Sequence, residues 1–400
     1  MLKYCLPICM MWLCPAVADA VDGPPDIFKP NVSDTVTYND NLLLRSGKPL
    51  ENKVYPLPSG MVKGDVINQA TVGSIINYTL GHHRFNLNLN VTDNQFANNH
   101  ILNHISSTDL VVWDWMLGKQ FSGDVGYNYS REMGGFSNTS FYGLDIITGN
   151  NVFAHINYAW HPRWKIQTGF NWQSYVHSAT QRMTLNQDTT TALTSLNYMT
   201  PSSNSIGMQY SLTYGKYPNP EMVNNIAIAD KYQQHDIRAL LLWKLTEKSS
   251  FKGDAGYVIR QYPDYSQRDF SGQTFNLKFS WTPTAKTMLE LAGWRQLNSY
   301  PDVTTTYVIA EGFSLSPMWN LLPKLTLSAK FSRQTLDYTV DTAGIVPRHD
   351  ILLRGGASLV YTPVTNCEVT LGYQAGTRDS NILFYDYNFN SVFSTVMLKF

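Results

Sequence analysis

Residues 84–94 read RFNLNLNVTDN, with Phe85, Leu87, Leu89 and Val91 at odd positions and Asn86, Asn88 and Asn90 at even ones. A period of two puts these sets on opposite sides of an extended chain, one apolar and one polar. The pattern recurs down the chain. Val125, Tyr127 and Tyr129 oppose Asp124, Gly126 and Asn128, and Ile166, Phe170 and Trp172 oppose Lys165, Gln167 and Asn171. Soluble sandwiches alternate in the same way, and run length separates the two cases. Runs such as Asn151 to Trp160 and Ile206 to Lys216 reach about 10 residues, whereas soluble strands average about 5 or 6 and membrane-crossing strands need roughly 9 to 11.

The runs end in a repeated punctuation. An aromatic residue followed by Thr-Pro closes a run in NYMTPSSNS from Asn197, SWTPTAK from Ser280 and VYTPVTN from Val360. Variants stand in YTLGHHR from Tyr78, WMLGKQ from Trp115, AWHPRW from Ala159, WKLTEKS from Trp243 and WNLLPKL from Trp319. Tyr and Trp suit a membrane interface, where the ring and its polar atom are both satisfied, and Gly and Pro turn the chain back. These eight short turns alternate with longer polar connections, among them NDNLLLRSGKPLENKVYPLPSGMVKGD from Asn39 and DYTVDTAGIVPRHD from Asp337. Short turns on one side and long loops on the other predict an all-β, transmembrane, antiparallel outer-membrane β-barrel of about 18 strands, with both termini on the short-turn side.

Composition agrees. Of 400 residues only 15% are charged, against about 25% in soluble domains, while 13% are aromatic. The 30 basic and 30 acidic residues cancel, so charge points to no nucleic-acid partner. MLKYCLPICMMWLCPAVADA places Lys3 before an apolar stretch and ends in Ala18-Asp19-Ala20, the form of a secretory signal cleaved near Ala20. The expected division is signal peptide 1–20, periplasmic lead 21–30 and barrel 31–400. Only Cys367 lies beyond the signal, with its side chain expected toward lipid. The last run, SVFSTVMLKF, sets Val392, Val396, Leu398 and Phe400 on one face, a form read by the barrel-assembly machinery of Gram-negative cells.

If the apolar face meets outer-membrane lipid, its partner faces the lumen. The candidates there are Asp114, Asp124, Lys165, Asp236, Arg238, Lys244, Lys252, Asp254, Lys278, Glu290, Trp294, Lys330, Arg354, Glu368 and Arg378. Their mixed signs suit a neutral or weakly charged solute, and Trp294 and Phe393 are candidate platforms for sugar rings. The chain carries no nucleophile elbow, zinc-protease motif, phosphate loop or calcium loop, so no enzyme, cofactor or metal is expected. His82 and His83 read as solvated turn residues, and His155 as the one inward His that a lumenal hydrolase would need.

VSDTVTYNDNLLLRSG, FNLNLNVTDNQFANN, DLVVWDWMLGKQFSGDVGYNYSREMGGFSN and NVFAHINYAWHPRWKIQTGF resemble the EpsL-type outer-membrane proteins of exopolysaccharide-biosynthesis operons, a branch of the β-barrel porins. The resemblance runs through most of the chain and is strongest in its first half. It implies a barrel in the outer membrane that passes or helps pass a polysaccharide, with periplasmic polysaccharide-export proteins as partners. The alternative is a general or sugar-uptake porin, narrowed by the loop from Asn39 to Gly64; a lumenal enzyme is a third reading.

Overall fold

The computed structural model describes residues 27–46, 57–137, 141–219, 221–223, 226–228, 231–264, 266–299, 307–339, 346–382 and 385–400. The signal segment and most of the lead lie outside these residues, as does the middle of the loop after Asn39. One antiparallel sheet of 18 strands makes up the wall. Its first half is β1 (Phe28–Asn39), β2 (Asp65–Leu80), β3 (His83–Phe96), β4 (His104–Leu117), β5 (Phe121–Met133), β6 (Ile146–His161), β7 (Trp164–His177), β8 (Gln187–Met199) and β9 (Ser205–Lys216). A small hairpin, β10 (Glu221–Val223) and β11 (Ile226–Ile228), interrupts the next connection. The second half is β12 (Lys231–Thr246), β13 (Ser249–Gln261), β14 (Phe270–Thr284), β15 (Thr287–Ser299), β16 (Tyr307–Leu322), β17 (Leu325–Tyr338), β18 (His349–Val364), β19 (Cys367–Ser380) and β20 (Tyr387–Lys399). Each strand pairs with its neighbours in sequence, and β1 pairs with β20 from Asn31↔Lys399 to Asn39↔Ser391. The sheet is closed.

Strands run longer than the alternation marks. β6 begins at Ile146, not Asn151, because the ladder continues through Thr148 and Asn150 above the apolar stretch. β1 likewise starts at Phe28, inside the expected lead, where Phe28 pairs with Ile76. The segment NLLLRSG, read with the first strand, leaves it at Asn39.

Opposed residues of an antiparallel pair share a face. Stepping through the ladder from Leu89 gives one outward set around the whole wall, including Val72, Val91, Val125, Met208, Ile237, Phe313, Leu371 and Val392, all exposed. Val72 and Met208 are each 64% exposed, an apolar surface that only lipid covers without penalty. Returning from β20 to β1, Val392 meets Tyr38 and Val396 meets Asp34, so parity is preserved through the closure. The outward band is not purely apolar. Asp34 accepts from Asn68 Nδ2 at 2.8 Å, Asp109, opposite Leu89, accepts from Ser107 Oγ at 2.6 Å, and Arg295 pairs with Glu311.

All eight short turns fall where the repeated punctuation lies. Gly81 and Gly118 turn with φ of 60° and 62°, a region costly for residues with a Cβ. At five other turns the register shifts at the strand that enters them, between Tyr158/His161, Lys244/Thr246, Trp281/Thr284, Asn320/Leu322 and Tyr361/Val364. These irregularities release an amide to the neighbouring turn: Thr282 N donates to Lys248 O, Asn320 N to Lys286 O and Thr362 N to Lys324 O. Lys324 Nζ returns a bond to Pro363 O at 2.6 Å, a carbonyl beside the missing Pro N–H. The turns are thereby stapled in sequence around one rim. Rings pack along the same rim, Trp160 on Trp164 at 6.2 Å and Trp164 on Tyr198 at 5.0 Å. His83 belongs to this girdle. It is the first residue of β3, and its Nδ1 accepts from Trp113 Nε1 at 3.3 Å, so it is not the free turn residue that HH suggests. Cys367 shares the register of the outward Leu398 but is only 2% exposed, covered where β19 starts beside the turn.

Leu87→Arg should lower the yield of folded barrel, because Arg among Ile76 and Val111 in a lipid-facing band costs roughly 2 to 4 kcal/mol. Asn88→Arg, one residue away on the other face, should fold like the parent. Heat-modifiable gel migration of the two proteins reads the difference, and equal yields would contradict the register.

Candidate functional site: the inner wall and its mouth

The face opposite the apolar band carries all fifteen residues singled out from the sequence, by the same pairing argument. They fall into separate groups. Arg238 reaches both Asp236 and Asp254, its neighbours on β12 and β13. Lys278 pairs with Glu290 at 2.5 Å across β14 and β15. With Lys252, Asp254 and Lys278, Trp294 lines a recess of about 740 Å³ floored by Leu240 and Leu242. Lys330 and Arg354 line a second recess of about 450 Å³ together with Phe393. Asp114 takes Arg84 at 3.1 Å, and Glu368 takes Lys399 at 3.1 Å. Lys165 and Lys244 stand apart near the short-turn rim.

His155 Nδ1 lies 2.8 Å from Asp124 Oδ2, and the ring packs over Gly169, where a Cβ would stand 2.4 Å from His155 Cδ2. This is a positioned wall pair.

The mouth at the long-loop end was not legible as a unit. Leu43, Met61, Phe96, Leu102 and Phe136 form an apolar cluster from three connections and β3, with Leu43 and Leu102 0% exposed. A wet pore mouth does not otherwise bury such residues, so the loops pack on one another. Buried carboxylates hold them. Asp65 accepts from the backbone N–H and side-chain amide of both Asn98 and Asn99, at 2.8 to 3.0 Å. Asp145 takes His177 Nδ1 at 2.7 Å and Arg182 Nη1 at 3.3 Å. Asn41 Nδ2 donates to Arg45 O at 2.9 Å and Asn388 O at 2.6 Å, while Arg45 lies over the Tyr142 ring at 5.6 Å. The loops after β1 and β5 therefore touch.

Across the mouth, Asp350 is fully buried between Arg348 Nη2 at 2.5 Å and Arg378 Nε at 3.5 Å. Arg378 also donates from Nη1 to Ser137 O, in the loop after β5 on another part of the wall. That bond carries a loop over the lumen to β19, six strands away in the sheet order. Arg348 lies over the rings of Tyr338 and Tyr385, at 4.2 and 3.4 Å. Burial lowers the Arg348 pKa, but the hydrogen bonds it donates to Asp350 and the neighbouring charges outweigh it and hold the guanidinium above its ordinary value. The latch stays charged. Sequence reading marked Arg378 alone; the run of buried Tyr and Asp around it carries no periodic signal.

A closed 18-stranded barrel with a girdle, a polar inner wall and loops packed in its mouth is a barrel of the outer-membrane porin type. A family model described as "Putative beta-barrel porin 2" matches residues 243–400. No curated protein matches the chain. Among solved structures, the OccK2 (OpdF) barrel of Pseudomonas aeruginosa is 10% identical, with 93% of this chain and 98% of that one covered and a TM-score of 0.52. The BenF-like porin of Pseudomonas fluorescens Pf-5 is 10% identical over 93% of this chain and 99% of that one, with a TM-score of 0.51. At these identities the likeness is one of fold.

Arg378→Met should free the loop after β5 from β19. Removing one partner of a buried ion cluster costs roughly 3 to 5 kcal/mol when the other charge is stranded, and less here because Arg348 stays on Asp350. Expected are faster protease cleavage within 134–145 and a larger single-channel conductance in planar bilayers. Unchanged conductance would mean that the crossing does not narrow the path.

Proposed function

We propose that this barrel is an uptake porin for small hydrophilic solutes. The observation that carries the reading is the inward packing of the loops, with Leu43, Leu102 and Phe136 buried together and Arg378 tied to Ser137 across the mouth. A passage for a polymer needs a lumen wide along its whole length; a mouth narrowed by its own loops suits solutes of sugar size. The inner wall supports the same reading. It offers water-facing recesses flanked by Trp294 and Phe393, where a ring could rest between polar side chains. The likeness in fold to a BenF-like porin is in keeping with it. The polysaccharide-export reading rests on the EpsL-type resemblance alone.

Liposomes containing the folded protein should swell in isotonic mono- and disaccharide and not in polysaccharide. A deletion strain should keep its secreted polymer and slow its growth on limiting small solutes. Absence of swelling together with polymer trapped in the periplasm of the deletion strain would reject uptake in favour of export.

A further inference from the structure

Two cations of the mid-wall are answered by carboxylates, Arg238 by Asp236 and Asp254 and Lys278 by Glu290, and Lys252 stands opposite the paired Lys278. The recess between β17 and β20 differs. Lys330 stands opposite Gly356 and Arg354 opposite Ser332, so the two cations are diagonal neighbours on one face. Both line the 450 Å³ recess, and both are exposed to it. Among the described residues neither has an ion-pair or hydrogen-bond partner. Two like charges side by side repel, and a shared anion removes the repulsion.

The rest of the lining narrows the chemistry. Ser332 and Gln374 also line the recess and are likewise without a hydrogen-bond partner among the described residues. They are donors and acceptors matched to hydroxyl groups. Phe393 supplies a flat apolar wall, its ring seated over Gly372 where a Cβ would lie 2.2 Å from Cζ. Gly356 leaves the floor open; a Cβ there would stand 3.0 Å from Tyr373 O. Two free cations, uncommitted hydroxyl and amide groups and one ring face fit a compact molecule with a carboxylate, several hydroxyls and an apolar ring face.

We infer that this recess is a binding subsite for a sugar acid, with Lys330 and Arg354 on the carboxylate, Ser332 and Gln374 on ring hydroxyls and Phe393 against the ring. The inference rests on the uptake reading for its role in transport, not for the binding itself. It alters the expectation drawn from overall charge. The chain is balanced in sum, but charge pairing on the inner wall is local, and this part of the wall is cationic.

Galacturonate and galactose share a ring and differ at the carboxylate, so the pair isolates the proposed contact. With the full chain in planar bilayers, galacturonate should interrupt the current at a concentration at least tenfold below that of galactose. Lys330→Gln/Arg354→Gln should remove that advantage, each single variant should lose part of it, and Lys165→Gln should keep it. Equilibrium dialysis of labelled galacturonate against the detergent-folded barrel measures binding without needing a current. Both side chains are solvent-facing, and heat-modifiable migration checks that each variant is folded. Equal potency of the two sugars, an unaffected double variant, or the same loss in Lys165→Gln would overturn the subsite. Binding that depends on Lys330 and Arg354 in a barrel that passes no solute would uphold the subsite and reject uptake. Solute passage without such binding would do the reverse.

Discussion

Everything in this chain answers to one constraint: a strand in hydrocarbon cannot leave its backbone N–H and C=O groups without partners. Each group left open costs several kcal/mol where no water can take it, so the sheet must have no edge. The seam between β1 and β20 meets that demand from Asn31↔Lys399 to Asn39↔Ser391, and Phe400 N adds a bond to Pro30 O at 2.9 Å. An even number of strands follows for a closed antiparallel sheet, and with it two ends of different character. Alternation follows too, because each strand now has lipid on one side and water on the other.

The two ends solve different problems. At the short-turn rim the chain must reverse within a few residues beside the headgroups. Aromatic rings face the interface there, Pro removes a donor that the ladder cannot use, and a register shift hands the spare amide to the next turn. Thr282, Asn320 and Thr362 make the same bond in three successive hairpins. The aromatic-Thr-Pro phrases at Thr282 and Thr362 and the Pro-bearing variant at Asn320 are thus sequence forms of one repeated hydrogen-bonding device. At the other end the connections are long and irregular, and their backbone groups need side-chain partners. Asp65 and Asp145 provide them, accepting from the N–H groups of Asn98, Asn99 and Ala179, while the fully buried Asp350 holds two guanidinium groups.

Inside the wall the deciding quantity is local pairing. A carboxylate beside Arg238 or Lys278 satisfies those cations and lowers the field they present to a passing solute. Lys330 and Arg354 lack that neighbour because their cross-strand partners are Gly356, Ser332 and Gly376. The same number of charges, differently placed, would give a different lumen.

The strands, their faces and the eight short turns could be read from the chain because they are local: period two, an aromatic residue and a Gly or Pro lie within a few residues of one another. That is why Leu89 and Asn88 could be assigned to opposite faces, and why all fifteen candidates lie on one face. Strand ends were less legible. Polar residues such as Thr148 and Asn150 continue the ladder beyond the lipid, where neither face must be apolar. Contacts between distant segments were not legible. The burial of Leu43 against Phe136, the bond from Arg378 to Ser137, and the freedom of Lys330 and Arg354 in contrast to the neutralised Arg238 depend on which segments the closed register makes neighbours. Sequence by itself determined that this protein is a barrel and which side of each strand is wet. Only the tertiary structure decided what fills the mouth and which charges stay free, because those are relations between strands and between loops that no periodicity encodes.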